Sequence, residues 1–204
     1  MKKQYIAPNI ERNSAGNINK YGAKSVVRHQ ESIDGIAIKD LVSQFGSPLL
    51  VFSESQLRKK YRRMQDIMQM HYPHLQQAWS YKTNYLGAIC NIYHQEGSWA
   101  EVVSGMEYDM ARRLGIPGNQ IIFNGPGKQA EDITKAVREG ARLHIDHLDE
   151  LYLIEKIARA EGIEPEVAIR VNMDAGIVPI WSRFGFNYEN GEAYRAIQRL
   201  LSGK

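Results

Sequence analysis

Strand-like and helix-like segments alternate along most of this chain, and this alternation limits its possible folds more than any other feature. From residue 48 onward, short runs rich in β-branched and aromatic residues are each followed by an amphipathic run, with a spacing of about 25 residues. This order is typical of βαβ units with parallel strands. Most of the helical runs end at a glycine, as helix C-termini commonly do. The sequence therefore predicts an α/β fold with a parallel sheet.

The pattern places each predicted element on the chain. We expect strands at 34–38, 48–53, 75–82, 99–104, 120–125, 142–148 and 166–173. We expect helices at 38–46, 53–73, 86–97, 105–115, 128–140, 148–162 and 190–201. Ser53 or Ser55 would cap the long second helix, because a serine hydroxyl can accept a backbone N–H of the first turn. Residues 1–33 read as an irregular N-terminal arm, and 34–204 as one barrel domain.

Two architectures compete for this pattern, an open doubly wound sheet and a closed (β/α)8 barrel. The first lacks support, because the sequence has no G-x-G-x-x-G turn and no G-x-x-x-x-G-K-[ST] loop, and GPGKQ at 125–129 does not fit the latter spacing. Polar residues near the strand ends favour the barrel, whose functional groups collect at the carboxyl ends of the strands. About six βα units are present where a barrel needs eight, so we expect an incomplete barrel from the front part of a longer protein.

Composition excludes several classes of function. The 26 basic and 23 acidic residues give a net charge of +3, too little to predict a nucleic-acid surface, and the basic run at 57–63 reads as a solvated helix face. Cys90 is the single cysteine, so no intrachain disulfide can form. The N-terminus lacks the apolar region of a signal peptide, and no apolar run is long enough for a membrane span. We therefore expect a cytoplasmic protein without nucleic-acid or membrane partners.

Three predicted strands each carry one charged residue near the carboxyl end: Lys82, Glu101 and Arg170. In the strand at 75–82, Ser80 shares a face with Lys82, and this small residue leaves room beside the lysine. Charged groups inside strands are costly to bury unless they are paired. The three residues can therefore form a reactive site, in which a neutral lysine attacks a carbonyl carbon. Alternatively, one or more of them faces the surface, or they form a purely structural ion-pair network. Spacing alone leaves these readings open.

The segment HIDH, 144–147, invites a metal-site reading that the pattern does not support. His144 and Asp146 share one face of the predicted strand, and His147 points to the other. No further cluster supplies ligands at a convincing spacing, so we predict no metal site. The turns at 104–105 and 125–128 read as plain βα loops. A serine hydrolase is unsupported, because no G-x-S-x-G motif occurs.

An ordered series of motifs resembles the fold-type III pyridoxal-phosphate enzymes. SYKTN, with Lys82, is followed by AEVVSGMEY at 100–108 and by IIFNGPGK at 121–128. LHIDHLDEL, AIRVNMD and SRFGFN then follow in order. The resemblance is strongest to the diaminopimelate and ornithine decarboxylase branch. It covers the chain from about residue 34 onward, and the order of the motifs is more specific than any one of them.

The resemblance implies an alanine-racemase-type barrel, a pyridoxal 5'-phosphate cofactor and decarboxylation of an amino-acid substrate. It implies that Lys82 forms the internal aldimine and that Ser80 lines the cofactor beside it. Glu101 takes the place of an acidic residue near the cofactor that is usually aspartate in the family, and Arg170 matches an arginine close to both. Full-length members of the family are homodimers.

Several motifs of the family do not occur in this sequence. They are the histidine of an H-x-G-S motif, the glycine-rich phosphate loop, the E-P-G-R segment and the C-terminal β-domain. We therefore expect the chain alone to bind the cofactor weakly and to be a poor catalyst. Two alternatives stay open: a non-catalytic or regulatory relative with the same barrel, and an amino-acid racemase.

Overall fold

A computed structural model describes residues 30–176 and 183–202 of the chain. The chain is divided into two compact units, Met1–Val51 and Phe52–Lys204. The predicted arm at 1–33 falls almost wholly outside the described residues, and its boundary stays a prediction. No helix in the described part of the chain is long and apolar enough to cross a membrane.

The second unit is built on a five-stranded parallel sheet, which confirms the predicted α/β class. Its strands lie side by side in chain order, β3-β4-β5-β6-β7. They are β3 (Ala78–Ser80), β4 (Trp99–Val102), β5 (Ile121–Phe123), β6 (Arg142–Ile145) and β7 (Val167–Ile169). Two shorter strands, β8 (Val171–Asn172) and β9 (Phe186–Asn187), form a separate parallel pair. The predicted strand at 166–173 is thus β7 and β8 with an interruption at Arg170.

Helices follow the strands at the predicted places. In the second unit they are α2 (Glu54–Gln69), α3 (Gly87–Gln95), α4 (Gly105–Arg113), α5 (Ala130–Arg138), α6 (Leu148–Glu161) and α7 (Glu192–Ser202). Ser53 caps α2 as expected, because its hydroxyl accepts the backbone N–H of Gln56 at 3.1 Å. Ser104 caps α4 in the same way through the N–H of Glu107. Local cap chemistry therefore sets where these helices begin.

The first unit contains a β-hairpin and one helix. Strands β1 (Ser32–Ile33) and β2 (Ile36–Ala37) pair antiparallel, and helix α1 (Ile38–Phe45) follows. Asp34 and Gly35 join the strands with φ values of 51° and 82°, a left-handed turn that suits Asp-Gly. The strand predicted at 34–38 is therefore the second arm of a hairpin, and it ends where α1 begins.

The strand predicted at 48–53 is wrong. These residues form neither helix nor strand, and the Leu50 side chain is 87% exposed. A strand needs a neighbouring chain to complete its hydrogen-bond ladder, and the described residues include no strand paired with this segment. An apolar run of the right length was therefore not sufficient to form a strand.

The two faces of the parallel sheet differ in burial. On the face that packs against the helices, Val102, Ile121, Phe123, Leu143 and Ile145 are fully buried and belong to one core. The side chains between them on the opposite face are only half-buried. Because alternate residues of a strand point to opposite faces, this burial pattern shows which face carries the core. The other face carries the polar residues of the strands.

Helices α2 and α3 are joined by charged side chains. Arg58 donates to Glu96 at 2.8 Å, and Arg62 donates to the same carboxylate. These hydrogen bonds hold the pKa of Glu96 at about 2 instead of its ordinary 4.5, and the bond from Arg62 has the larger effect. The carboxylate is thus ionised in the folded chain at pH values where it would be largely protonated in the unfolded one.

This lowered pKa predicts a defined dependence of stability on pH. The contribution of Glu96 should be complete above pH 4.5 and should be lost as the pH falls toward about 2. The measurement is the urea-unfolding midpoint as a function of pH. Between pH 4.5 and about 2, we expect this midpoint to change less with pH in Glu96→Gln than in the unchanged chain. Glu164, exposed after α6, is the matched control. Equal slopes in Glu96→Gln and Glu164→Gln would contradict the assignment.

Candidate functional site

Lys82 lies in a tight turn directly after β3. The predicted strand at 75–82 ends earlier, at Ser80, and the N–H of Thr83 donates back to the Ser80 carbonyl at 3.1 Å to close the turn. The Lys82 side chain is exposed. Within the described residues, no hydrogen bond or ion pair engages its amine. The lysine is therefore available to a ligand at the carboxyl edge of the sheet.

The residue before Lys82 anchors this turn. Tyr81 is fully buried, and its N–H donates to the Glu101 carbonyl at 3.0 Å. Its hydroxyl lies 2.7 Å from Nε2 of His94, whose Nδ1 is 2.8 Å from the carbonyl oxygen of Ser98. Burial lowers the pKa of His94, which favours the neutral ring. The core thus fixes the backbone that carries the lysine.

Ser80 and Glu101 face each other on neighbouring strands, as register partners of β3 and β4. The Ser80 hydroxyl oxygen is buried and has no hydrogen-bond partner in the part of the chain that the structure describes. Buried polar atoms are nearly always partnered, by protein, water or a ligand. An orphaned hydroxyl two residues before Lys82 therefore marks this place as one where a ligand group could bind.

Glu101 is held by an amide from the next strand. Nδ2 of Asn124, just after β5, donates to Oε1 of Glu101 at 3.2 Å. Oδ1 of Asn124 in turn accepts the N–H of Gly125 at 2.8 Å, which fixes the amide orientation. The sequence reasoning placed Asn124 in the predicted strand at 120–125 but gave its amide no role, because only charged residues near the strand ends were considered.

Arg170 lies at the interruption between β7 and β8, and an acid directly after β6 pairs with it. Its guanidinium donates to Asp146 at 3.3 Å, and Asp146 is only 5% exposed. The same carboxylate accepts the N–H of Gly185, and the guanidinium stacks on the Phe184 ring at 4.9 Å. Arg170 is therefore paired with Asp146, and Glu101 is hydrogen-bonded to Asn124. Lys82, Glu101 and Arg170 thus do not form a single ion-pair cluster.

The HIDH segment agrees with the prediction only in part, because β6 ends at Ile145 and His147 lies outside the strand. His144 lies between the fully buried Leu143 and Ile145 and so faces the polar side, as does Asp146. His147 instead caps α6, with Nδ1 accepting the N–H of Glu150 at 3.3 Å. Alternation within HIDH was a signal for both His144 and Asp146, but sequence reasoning weighed it only as a metal site.

A buried ion pair lies below the turn at 125–128. The Lys128 side chain is fully buried and pairs with the Glu150 side chain, which is 3% exposed. The ammonium also donates to the carbonyls of Gly125 and His144, and the other Glu150 oxygen accepts the N–H of Asp146 at 2.9 Å. All three ammonium protons have acceptors, so this lysine is structural and holds together the ends of β5 and β6.

A parallel βα sheet with a lysine, a glutamate and an arginine at its carboxyl edge is the first part of an alanine-racemase-type (β/α) barrel. The chain belongs to the pyridoxal-dependent decarboxylases: residues 54–202 match the family's pyridoxal binding domain. This match confirms the family resemblance found in the sequence motifs. It also gives the chain a ligand class, since the matched domain of this family binds pyridoxal.

Two curated relatives of this chain are diaminopimelate decarboxylases. That of Methanocaldococcus jannaschii is 31% identical over 184 residues, which are 83% of this chain and 42% of the relative. That of Aquifex aeolicus is 29% identical over 143 residues, 70% of this chain and 33% of the relative. The chain therefore spans well under half the length of these relatives.

Solved structures show the same fold. The M. jannaschii diaminopimelate decarboxylase in complex with L-lysine superimposes with a TM-score of 0.77 at 30% identity. The superposition covers 85% of this chain and 43% of that one. The incomplete barrel predicted from the sequence is confirmed by this partial coverage.

Proposed function

We propose that this chain is the cofactor-binding part of a pyridoxal-phosphate-dependent amino-acid decarboxylase of the diaminopimelate decarboxylase type. One observation carries the proposal: in a chain of this family, an unengaged lysine, Lys82, lies in the turn directly after β3, the strand whose neighbour presents Glu101. Diaminopimelate is the substrate named for the curated relatives, and an amino acid of this kind is the proposed substrate class. A cytoplasmic homodimer belongs to the same proposal, and family resemblance is its support.

The residues on the polar face fit this cofactor. The Lys82 amine has no competing partner within the described residues and can take the cofactor's aldehyde group. The orphaned Ser80 hydroxyl, on the same face as Glu101, would offer the cofactor a hydrogen-bonding group. Glu101 and Arg170 are each held by a neighbour, Asn124 and Asp146, so both are positioned before a ligand arrives.

These residues have separate roles in the proposed reaction. When bound, pyridoxal phosphate supplies a conjugated ring that accepts the electron pair left when a carboxylate departs as carbon dioxide. Lys82 would hold the cofactor through its aldehyde group, since its amine is a nucleophile without a competing partner among the described residues. Glu101 places a negative charge beside the lysine strand, and Arg170 places a positive charge at the carboxyl edge of β7. The buried Tyr81 keeps the backbone of the lysine turn in place.

Covalent labelling tests the role of Lys82. After incubation with pyridoxal phosphate and reduction with borohydride, peptide mapping should find the label on Lys82. We expect Lys82→Ala to lose this label almost completely, because the other lysines in the described part of the chain lie on helices or, in the case of Lys128, have an ammonium that is already paired. Lys156, exposed on α6, is the matched control, and Lys156→Ala should label as the unchanged chain does.

Two results would contradict the proposal. One is a label spread evenly over surface lysines, and the other is a label yield that Lys82→Ala leaves unchanged. Carbon dioxide release from diaminopimelate in the presence of pyridoxal phosphate then tests the activity itself, with Lys82→Ala as the inactive reference.

A further inference from the structure

His144 is a polar residue of the candidate site that the proposed function does not yet use. It lies on β6 between two fully buried residues of the helix-facing core, Leu143 and Ile145. Its half-buried side chain therefore points to the opposite, polar face of the sheet. This is the face on which Ser80 and Glu101 lie.

The neighbours of His144 leave its ring open to a ligand. On one side, the β5–β6 register pairs Phe123 with Leu143, so the next residue, Asn124, comes beside His144. On the other side its partner is Ala168, whose side chain is a single methyl group. Neither ring nitrogen of His144 has a hydrogen-bond partner among the described residues. A half-buried imidazole, unpaired within the described residues, thus lies next to the amide that holds Glu101.

The surroundings of His144 favour its uncharged form. Burial lowers its pKa, the ammonium of Lys128 lowers it further, and the carboxylate of Glu101 offsets part of this effect. The charged groups around this part of the sheet, taken from every adjacent strand and turn, are Glu101, Lys128, Arg142, Asp146 and Arg170. At neutral pH the ring is therefore a neutral donor and acceptor, and not a cation.

A neutral imidazole suits one part of the cofactor better than another. A phosphate group is a dianion near neutral pH, and it is bound mostly by cations and by clusters of backbone N–H groups. An uncharged ring that can both donate and accept is better matched to the polar substituents of a pyridine ring. We propose that His144 is a further cofactor-binding residue, which hydrogen-bonds the ring portion of pyridoxal phosphate and not its phosphate. This inference rests on the function proposed above.

Binding of two related ligands tests this assignment. Dissociation constants of pyridoxal phosphate and of pyridoxal, which lacks the phosphate, are measured by absorbance titration of the full chain. We expect His144→Phe, which keeps an aromatic ring and removes both nitrogens, to weaken both ligands by about tenfold, the usual effect of one lost hydrogen bond in a partly buried site. His144→Gln, which keeps a polar group, should recover much of the loss.

Controls separate this inference from the proposed function. His74→Phe makes the same change at an exposed turn before β3 and should leave both constants unchanged. Thermal unfolding checks each variant, and His144→Ala replaces the phenylalanine variant if that does not fold. Unchanged binding in the His144 variants, with Lys82 still labelled, would overturn the inference alone. Weaker binding of pyridoxal phosphate with unchanged binding of pyridoxal would assign His144 to the phosphate. This result would also overturn the inference. An unlabelled Lys82 in the unchanged chain would refute the function, and the inference with it.

Discussion

We expect Lys128→Ala to lower the free energy of unfolding by about 3–5 kcal/mol, the usual cost of breaking a buried ion pair. The variant would leave the Glu150 carboxylate, which is 3% exposed, without its ammonium partner. It would also remove a donor from the carbonyls of Gly125 and His144. Urea unfolding followed by circular dichroism measures the change.

Two comparisons show whether burial is the cause. Lys135 pairs with Asp109 at an exposed position, and Lys135→Ala should cost less than about 1 kcal/mol. The double variant Lys128→Met with Glu150→Gln removes both charges and keeps an acceptor for the N–H of Asp146, so it should lie close to the unchanged chain. Equal costs for Lys128→Ala and Lys135→Ala would show that the Lys128–Glu150 pair is not buried in solution.

The order of strands and helices could be predicted from local patterns, because each element carries its own signal. Hydrophobic alternation located β3 to β7 within a few residues, and cap residues such as Ser53 marked where helices begin. The segment at 48–53 shows the limit of this reasoning. It has the composition of a strand, but pairing depends on a neighbouring chain that its own sequence does not specify.

The candidate site was only partly predictable for a related reason. Lys82, Glu101 and Arg170 stand out because a charge near the end of a strand is unusual. Their partners were not predictable, because the contact of Glu101 with Asn124, like that of Arg170 with Asp146, depends on the stagger between neighbouring strands. A sequence pattern assigns each residue to a face of its own strand, and it does not give the register across the sheet.

The assignment of one face to the core and the other to ligands makes a prediction about two adjacent isoleucines. Ile121 and Ile122 follow each other on β5, so they point to opposite faces. Ile121 is fully buried in the helix-facing core, and Ile122 is half-buried as the register partner of Glu101. We expect Ile121→Ala to lower the free energy of unfolding by about 2–5 kcal/mol, and Ile122→Ala by about half of that or less.

The comparison is informative because the two substitutions are chemically identical. Intrinsic strand preference, lost side-chain volume and effects on the unfolded chain are nearly the same at both positions, so the difference reports mainly on packing in the folded state. Urea unfolding of both variants under one set of conditions measures it. A large cost at Ile121 alone would support a single core on the helix side. Equal costs would mean that the polar face is packed as tightly as the core, and a face packed in that way has no room for a cofactor beside Glu101.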